Sequence, residues 1–188
     1  MKYISKGYVI EGSTEHILKI RRGNDEFQLT GTRAGLWING RYGVADADGA
    51  NALVVKELLH LKRIGLVEPV GNEPEGVFRA LTQCILMPAR EGKLRTPLNP
   101  LEHQTLLWLR GAGLRLTIAE LVFLREHDIK PEPGLLGEEN RQALTETIYT
   151  QDTIFDNVLE AQMEHASCRD EMVRAALGLL KKKRIVLL

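Results

Sequence analysis

Several features that often reveal a protein's function are scarce in this chain of 188 residues. It has only two cysteines, Cys84 and Cys168, which lie far apart and outside any Cys-x-x-Cys unit, so neither a disulfide framework nor a zinc ribbon is expected. No apolar run approaches the roughly 18 residues of a membrane span, and the first residues lack the apolar stretch of a signal peptide. We therefore expect a cytoplasmic protein that does not enter the membrane, with both thiols reduced.

Net charge is also missing, because 25 Lys and Arg residues balance 25 Asp and Glu residues. This balance removes the simplest argument for a nucleic-acid partner, which is a strongly basic domain. Hydrophobic residues make up 44% of the chain and charged residues 27%, which is the composition of an ordinary globular protein rather than a disordered one. Both halves of the chain can therefore form a packed core.

What the sequence does contain is a pattern that occurs twice. Residues 54–67 and residues 175–188 each have the form of an amphipathic helix that runs through a basic last turn into a short apolar strand. An earlier pattern is repeated as well, since Leu-Trp-Ile-Asn-Gly at 36–40 resembles Leu-Trp-Leu-Arg-Gly at 107–111. The repetition predicts two units of one kind.

A polar connector after Ala89 separates the two units and predicts domains at 1–95 and 96–188. The first domain opens with alternating segments at 3–11, 16–21 and 26–29, which predict a three-stranded antiparallel meander. A short helix through Trp37 follows.

The main core helix of the first domain carries Val54, Leu58 and Leu61 at helical spacing, with Val55 and Leu59 widening the apolar stripe. After this helix, residues 66–67 begin a strand and residues 76–88, from Val77 to Leu81 onward, supply a returning strand. A β-ribbon in that position is typical of a wing.

The second domain is predicted to be nearly all helical. Asn99-Pro100 and Thr117 to Glu120 are helix-start signals, and about 50 more residues than in the first unit supply further helices. One of these, between Asp152 and His165, has a surplus apolar stripe from Ile154 to Met163. That stripe predicts a homodimer formed through this helix.

The predicted fold class is α+β, mostly helical. A helix, a second helix, a longer helix and then a Leu/Val-rich strand after Lys-Arg-Ile resemble the winged-helix fold, and their presence in both halves resembles a tandem winged-helix protein. The resemblance implies two winged-helix-like units, the first preceded by the meander and the second enlarged by extra helices. The N-terminal half, with its Leu-Trp helix and its Leu-Lys-Arg-Ile-Gly-Leu-Val ending, also resembles the peptide-recognition domains of the pyrroloquinoline quinone biosynthesis protein D family.

Two functions follow from these resemblances. The first is a DNA-binding protein without catalytic activity, such as a transcriptional regulator, for which double-stranded DNA is the partner. The second is a protein- or peptide-interaction module in which the N-terminal meander offers a strand edge to an extended partner. Zero net charge favours the second, whereas the clusters of Lys and Arg and the tandem arrangement favour the first.

Candidate DNA contacts come from helix starts, from basic helix ends and from the predicted wing. The helix starts are mostly acidic, so Asn51 and Arg169 are the only plausible base readers, and the other cations would contact phosphates. The candidate nucleic-acid-binding residues are Asn51, Lys62, Arg63, Arg90, Lys93, Arg95, Arg169, Lys181, Lys182 and Arg184.

No residue cluster in the sequence indicates catalysis. His165 and Cys168 have the spacing of half a zinc site, but the second pair is missing. Neither serine nor cysteine has a neighbouring His with a supporting carboxylate, and there is no glycine-rich phosphate loop. We expect no enzymatic activity, no metal and no cofactor.

Overall fold

The computed structural model describes residues 1–14, 16–73, 75–89, 96–111, 116–130 and 166–188. The strands of this part are β1 (Lys2–Ser5), β2 (Tyr8–Val9), β3 (Leu18–Arg22), β4 (Asp25–Leu29), β5 (Ala45–Asp46), β6 (Val67–Val70), β7 (Leu86–Pro88) and β8 (Ile185–Leu187). Its helices are α1 (Gly31–Gly40), α2 (Ala52–Arg63), α3 (Gly76–Thr82), α4 (Pro100–Gly111), α5 (Ile118–Glu126) and α6 (Ala166–Lys181). None of these helices is long and apolar enough to cross a membrane.

The strands form three small antiparallel sheets. The first has the order β5-β1-β6, the second is the meander β2-β3-β4, and the third joins β7 to β8. In the third sheet Leu86 also forms a bridge with Leu116, on the side opposite to β8. The fold class is therefore α+β, with a predominance of helix.

The two halves of the chain share one strand arrangement. In the first half β1 lies between β5 and β6, which precede and follow helix α2. In the second half β7 lies between Leu116 and β8, which precede α5 and follow α6. In both, a strand that comes before the helices is the central one.

Two apolar cores underlie this arrangement. The first core contains Tyr3, Trp37, Leu58 and Leu61 and draws all of its buried residues from the first 67 positions. The second core is formed by α3, α4, α5, α6 and the β7-β8 sheet, and it also includes Ile4 of β1 and Val70 of β6. Helix α2 therefore has its buried side on the first core, and α6 has its buried side on the second.

Two strand predictions need correction. Residues 3–11 were expected to form one strand of the meander, but β1 pairs with β6, and only Tyr8 and Val9 pair with β3. The break lies at Gly7, which has a φ of +101° and whose place leaves no room for a Cβ beside Ile20. The rest of the meander, β3 and β4, is confirmed.

The predicted wing is wrong. Residues 77–81 belong to helix α3 rather than to a returning strand, and β6 pairs with β1. A short apolar run fits a buried strand and a buried helix equally well, and here Phe78 and Leu81 contact the second core from one side of a helix. Only β7, at Leu86–Pro88, is a strand in this region.

The helix-start signals of the second half are confirmed. Thr117 and Glu120 form a capping box at the start of α5. Asn99 and Glu102 form a reciprocal pair at the start of α4, since each side chain accepts a hydrogen bond from the other's backbone N–H at 2.8 Å. The helix predicted through Ile154–Met163 lies outside the described residues.

The boundary between domains 1–95 and 96–188 stays a prediction. Strand β7 precedes that boundary, yet it pairs with β8 at the end of the chain. Residues 85–89 thus belong structurally with the second core.

Close packing of α1 on β1 depends on Gly40. A Cβ at this position would lie 2.5 Å from Ser5 Oγ and 2.8 Å from Tyr3 Cε2, so Gly40→Ala must displace the helix or the strand. We expect this substitution to lower the free energy of unfolding by about 1–3 kcal/mol. Gly35 in the same helix faces open space, and Gly35→Ala should raise that free energy by about 0.5–1 kcal/mol. Urea denaturation of both variants tests the prediction, which fails if the two changes have the same sign.

Candidate functional site

Helix α2 has a second apolar row in addition to the one that faces the core. Leu58 and Leu61 are fully buried, and Val54 is half-buried beside them. Val55 and Leu59, by contrast, are 43% and 49% exposed. The prediction that these two widen the core stripe is wrong, because they lie on the side of the helix that turns away from the first core.

This outward row lines an open groove of about 520 Å³, which we call the α1–α2 groove. Its apolar lining comes from the first three turns of α2 and the residues just before it, and basic side chains border it. The lining residues are Arg33, Ala50, Ala52, Val55, Lys56, Glu57, Leu59, His60 and Arg63.

The charges around the groove are mainly positive. Arg33 on α1 forms an ion pair with Glu57 on α2, and the hydrogen bond from the Arg33 guanidinium lowers the pKa of the Glu57 carboxyl. Within the described residues, neither Lys56 nor Arg63 forms an ion pair, and both are exposed. The one acidic side chain of the lining is therefore paired with Arg33, whereas Lys56 and Arg63 form no ion pair in the described part of the chain.

The strand that precedes α1 in the sequence lies at the edge of a sheet. Strand β4 pairs with β3 on one side only, at the edge of the meander as the structure describes it. It ends at Leu29, four residues before Arg33. Unpaired backbone N–H and C=O groups on such an edge can pair with an added strand.

The two residues predicted to read bases have structural roles. The Asn51 side chain caps α2, accepting a hydrogen bond from the Val54 N–H at 3.0 Å. Arg169 is only 5% exposed; its Nε donates to Asp170 Oδ1 at 2.8 Å, and its guanidinium lies 4.0 Å from Glu75 Oε1. A buried, paired guanidinium does not reach a base edge without unfolding its surroundings.

The predicted phosphate contacts fall into separate groups. Lys62 and Arg63 are exposed at the end of α2, and Lys181 is exposed at the end of α6. Lys182 is half-buried and forms an ion pair with the buried carboxylate of Glu102. Arg184 is half-buried and lies directly before β8. Arg90, Lys93 and Arg95 lie outside the described residues.

The described part of the chain holds no set of three or more His, Cys, Asp or Glu side chains placed to bind a metal ion. Burial raises the pKa of the Cys84 thiol to about 12, and burial also raises that of Cys168. Neither thiol is therefore a thiolate nucleophile near neutral pH.

Comparison with known proteins does not assign this architecture. No family model matches the chain. Neither a curated protein nor a solved structure is significantly similar to it. The function is therefore inferred from the groove and from the charged side chains.

Sequence reasoning missed the groove residues Arg33, Val55, Leu59 and His60. A signal was present, since residues 52, 55, 59 and 63 follow helical spacing on a different face from Val54, Leu58 and Leu61. Two apolar rows on one helix indicate either a wide core face or a core face and a binding face, and periodicity alone does not separate these cases.

Proposed function

We propose that this chain is a non-enzymatic protein-interaction module whose α1–α2 groove binds a partner segment with apolar and acidic side chains. The observation that carries the proposal is the outward apolar row of α2, where Val55 and Leu59 leave nearly half of their surface in water. Contiguous exposed apolar surface with a polar border is typical of interaction sites.

Charge selects the partner's chemistry. Lys56 and Arg63 border the apolar row without an ion pair in the described residues, and Glu57 is already paired. An acidic side chain on the partner would meet uncompensated positive charge, whereas a basic one would be repelled. The edge of β4, which precedes α1 in the sequence, supplies main-chain groups for a partner that continues as an extended strand.

Both halves are proposed to be winged-helix-like scaffolds. Support comes from a similar order of pairing, in which β1 lies between β5 and β6, and β7 lies between β8 and the bridge residue Leu116. In this interpretation the helix equivalent to α2 in the second half is α6, and the groove belongs to the first half alone.

Binding of duplex DNA by such units is the second candidate function. The exposed cations Lys62, Arg63 and Lys181 favour it. Against it, both predicted base readers serve the fold, and the face of α2 that faces water is partly apolar.

A peptide-binding experiment separates the two functions. Random peptides displayed on phage are selected against the whole chain, and the selected peptides should combine acidic with large apolar residues. Val55→Ser with Leu59→Ser should weaken their binding roughly 30-fold, because about 2 kcal/mol of apolar burial is lost when both half-exposed side chains are removed.

The matched control is Leu107→Ser, which changes an equally exposed leucine on α4. Both variants should keep the stability of the parent chain, since exposed substitutions rarely change it by more than about 0.5 kcal/mol. If the double variant binds the selected peptides as tightly as the parent, the groove is not the binding site. If the chain binds duplex DNA with a steep salt dependence that the serine changes leave intact, the DNA function replaces this one.

A further inference from the structure

A group of aromatic and cationic side chains joins the end of α1 to the turn between α6 and β8. The Arg41 guanidinium carbon lies 5.5 Å from the Trp37 ring centroid and 4.9 Å from that of Tyr42. From the other half of the chain, Lys183 Nζ lies 4.7 Å from the same Tyr42 centroid. We call Arg41, Tyr42 and Lys183 the cation cluster.

Both residues lie on backbone that is hydrogen-bonded at the end of a helix. Arg41 follows the last residue of α1, and its N–H donates to Ile38 O. Lys183 has a φ of +58°, in the left-handed region, and its N–H donates to Leu180 O at 2.9 Å. The side chains of Arg41 and Lys183, one from each half of the chain, contact the same Tyr42 ring, although their like charges repel.

Hydrogen-bond partners for these cations are missing from the described part of the chain. Arg41 Nε is shielded from water yet meets no acceptor there, and neither Arg41 nor Lys183 forms an ion pair. Because Nε itself is shielded from water, an external anion can reach the guanidinium only through its terminal nitrogens. Contact with aromatic faces offsets part of the positive charge but accepts none of the N–H groups in the guanidinium plane.

We propose that the cation cluster binds a phosphate group. The planar guanidinium of Arg41 offers a donor fork that matches phosphate oxygens, and Lys183 adds a second positive charge at the same tyrosine ring. Two uncompensated cations suit a doubly charged anion better than a single carboxylate. Because each half of the chain supplies one cation, the site exists only when the two halves are docked.

The proposal does not depend on the α1–α2 groove. Arg33, at the groove, and Arg41 lie at opposite ends of helix α1. A failure of peptide binding at the groove would therefore leave the phosphate site unaffected, and the reverse also holds.

The test is a titration of the whole chain with inorganic phosphate, followed by two-dimensional amide NMR at constant ionic strength. Saturable shifts are expected for the amides of Tyr42 and Lys183. Arg41→Gln and Lys183→Asn should each weaken phosphate binding about tenfold, as expected for the loss of a charge-assisted hydrogen bond. Asparagine tolerates the left-handed backbone at position 183, so this variant tests the site even if Arg41→Gln disturbs the packing on Trp37.

Lys181→Asn is the matched control, because Lys181 is an exposed cation of the same helix end that does not contact Tyr42. It should leave phosphate binding within twofold of the parent. A second titration uses a short DNA duplex and identifies the source of the phosphate. If the duplex binds and each cation variant lowers the salt slope by about one, the ligand is a phosphodiester of nucleic acid. The proposal is overturned if neither probe binds, or if Lys183→Asn changes binding no more than Lys181→Asn does.

Discussion

Replacement of Trp37 by alanine is expected to lower the free energy of unfolding by about 3–5 kcal/mol. The Trp37 side chain has no exposed surface in the first core, and its indole Nε1 donates a hydrogen bond to Lys6 O at 2.8 Å. The substitution therefore opens a large cavity and leaves a buried carbonyl without its donor. Much of the stability of the first half would be lost with one side chain.

Trp108 provides the control, because it occupies the corresponding place in the repeated Leu-Trp pattern. The pattern predicts two equivalent core anchors, but Trp108 is only partly buried, and Leu107 before it is 51% exposed. Trp108→Ala should cost less than about 3 kcal/mol. Denaturant unfolding of both variants measures the difference, and an equal loss would contradict the burial assigned to the two indoles.

Lys6→Ala is expected to lower the free energy of unfolding by about 3 kcal/mol. Its ammonium group is buried, lies 2.8 Å from Glu68 Oε2 and also donates to Gln83 O at 3.4 Å. Removal of the ammonium leaves a largely buried carboxylate without its counter-charge. The cost falls at the low end for buried pairs, since the Glu68 side chain keeps 22% of its surface in water.

A double variant isolates the unpaired charge as the cause. Lys6→Met combined with Glu68→Met replaces the pair with apolar side chains of similar length, and this change is expected to be near neutral. The unfolding free energies of Lys6→Met, Glu68→Met and the double variant are compared with that of the parent chain in a double-mutant cycle. If the double variant is as unstable as Lys6→Ala, lost packing rather than an unpaired carboxylate explains the effect.

Local signals predicted the starts of α4 and α5 and the end of α2 correctly. The capping box at Thr117 and the Asn99 cap have short-range causes, since each joins a side chain to backbone three residues away. The end of α2 also has a local cause, because Gly65, just after the helix, has a φ of +74°, a conformation that favours glycine.

Strand partners were predicted less well, because they depend on residues far apart in the chain. The separation of β1 from β2 depends on the turn at Gly7 and on β6, which arrives some 60 residues later. Helix α3 was mistaken for a strand, since residues 77–81 are too few for their periodicity to distinguish the two.

The candidate site could be predicted only in part. Sequence reasoning found the cations at the ends of α2 and α6, but not that Arg169 is buried or that Val55 and Leu59 are exposed. Burial of a single helical residue depends on which neighbouring elements cover that face, and the sequence does not state this.

The pairing of β7 with β8 has a consequence for synthesis of the chain on the ribosome. All residues of the first core lie before position 68, so that core can form while later residues are still being translated. The second core stays incomplete until Ile185–Leu187 emerge and pair with Leu86–Pro88. About 120 residues separate the two events, which corresponds to roughly 6–24 s at ~5–20 residues per second. During that interval the apolar side chains of α3, with Phe78 and Leu81 among them, lack part of the core that covers them in the finished fold.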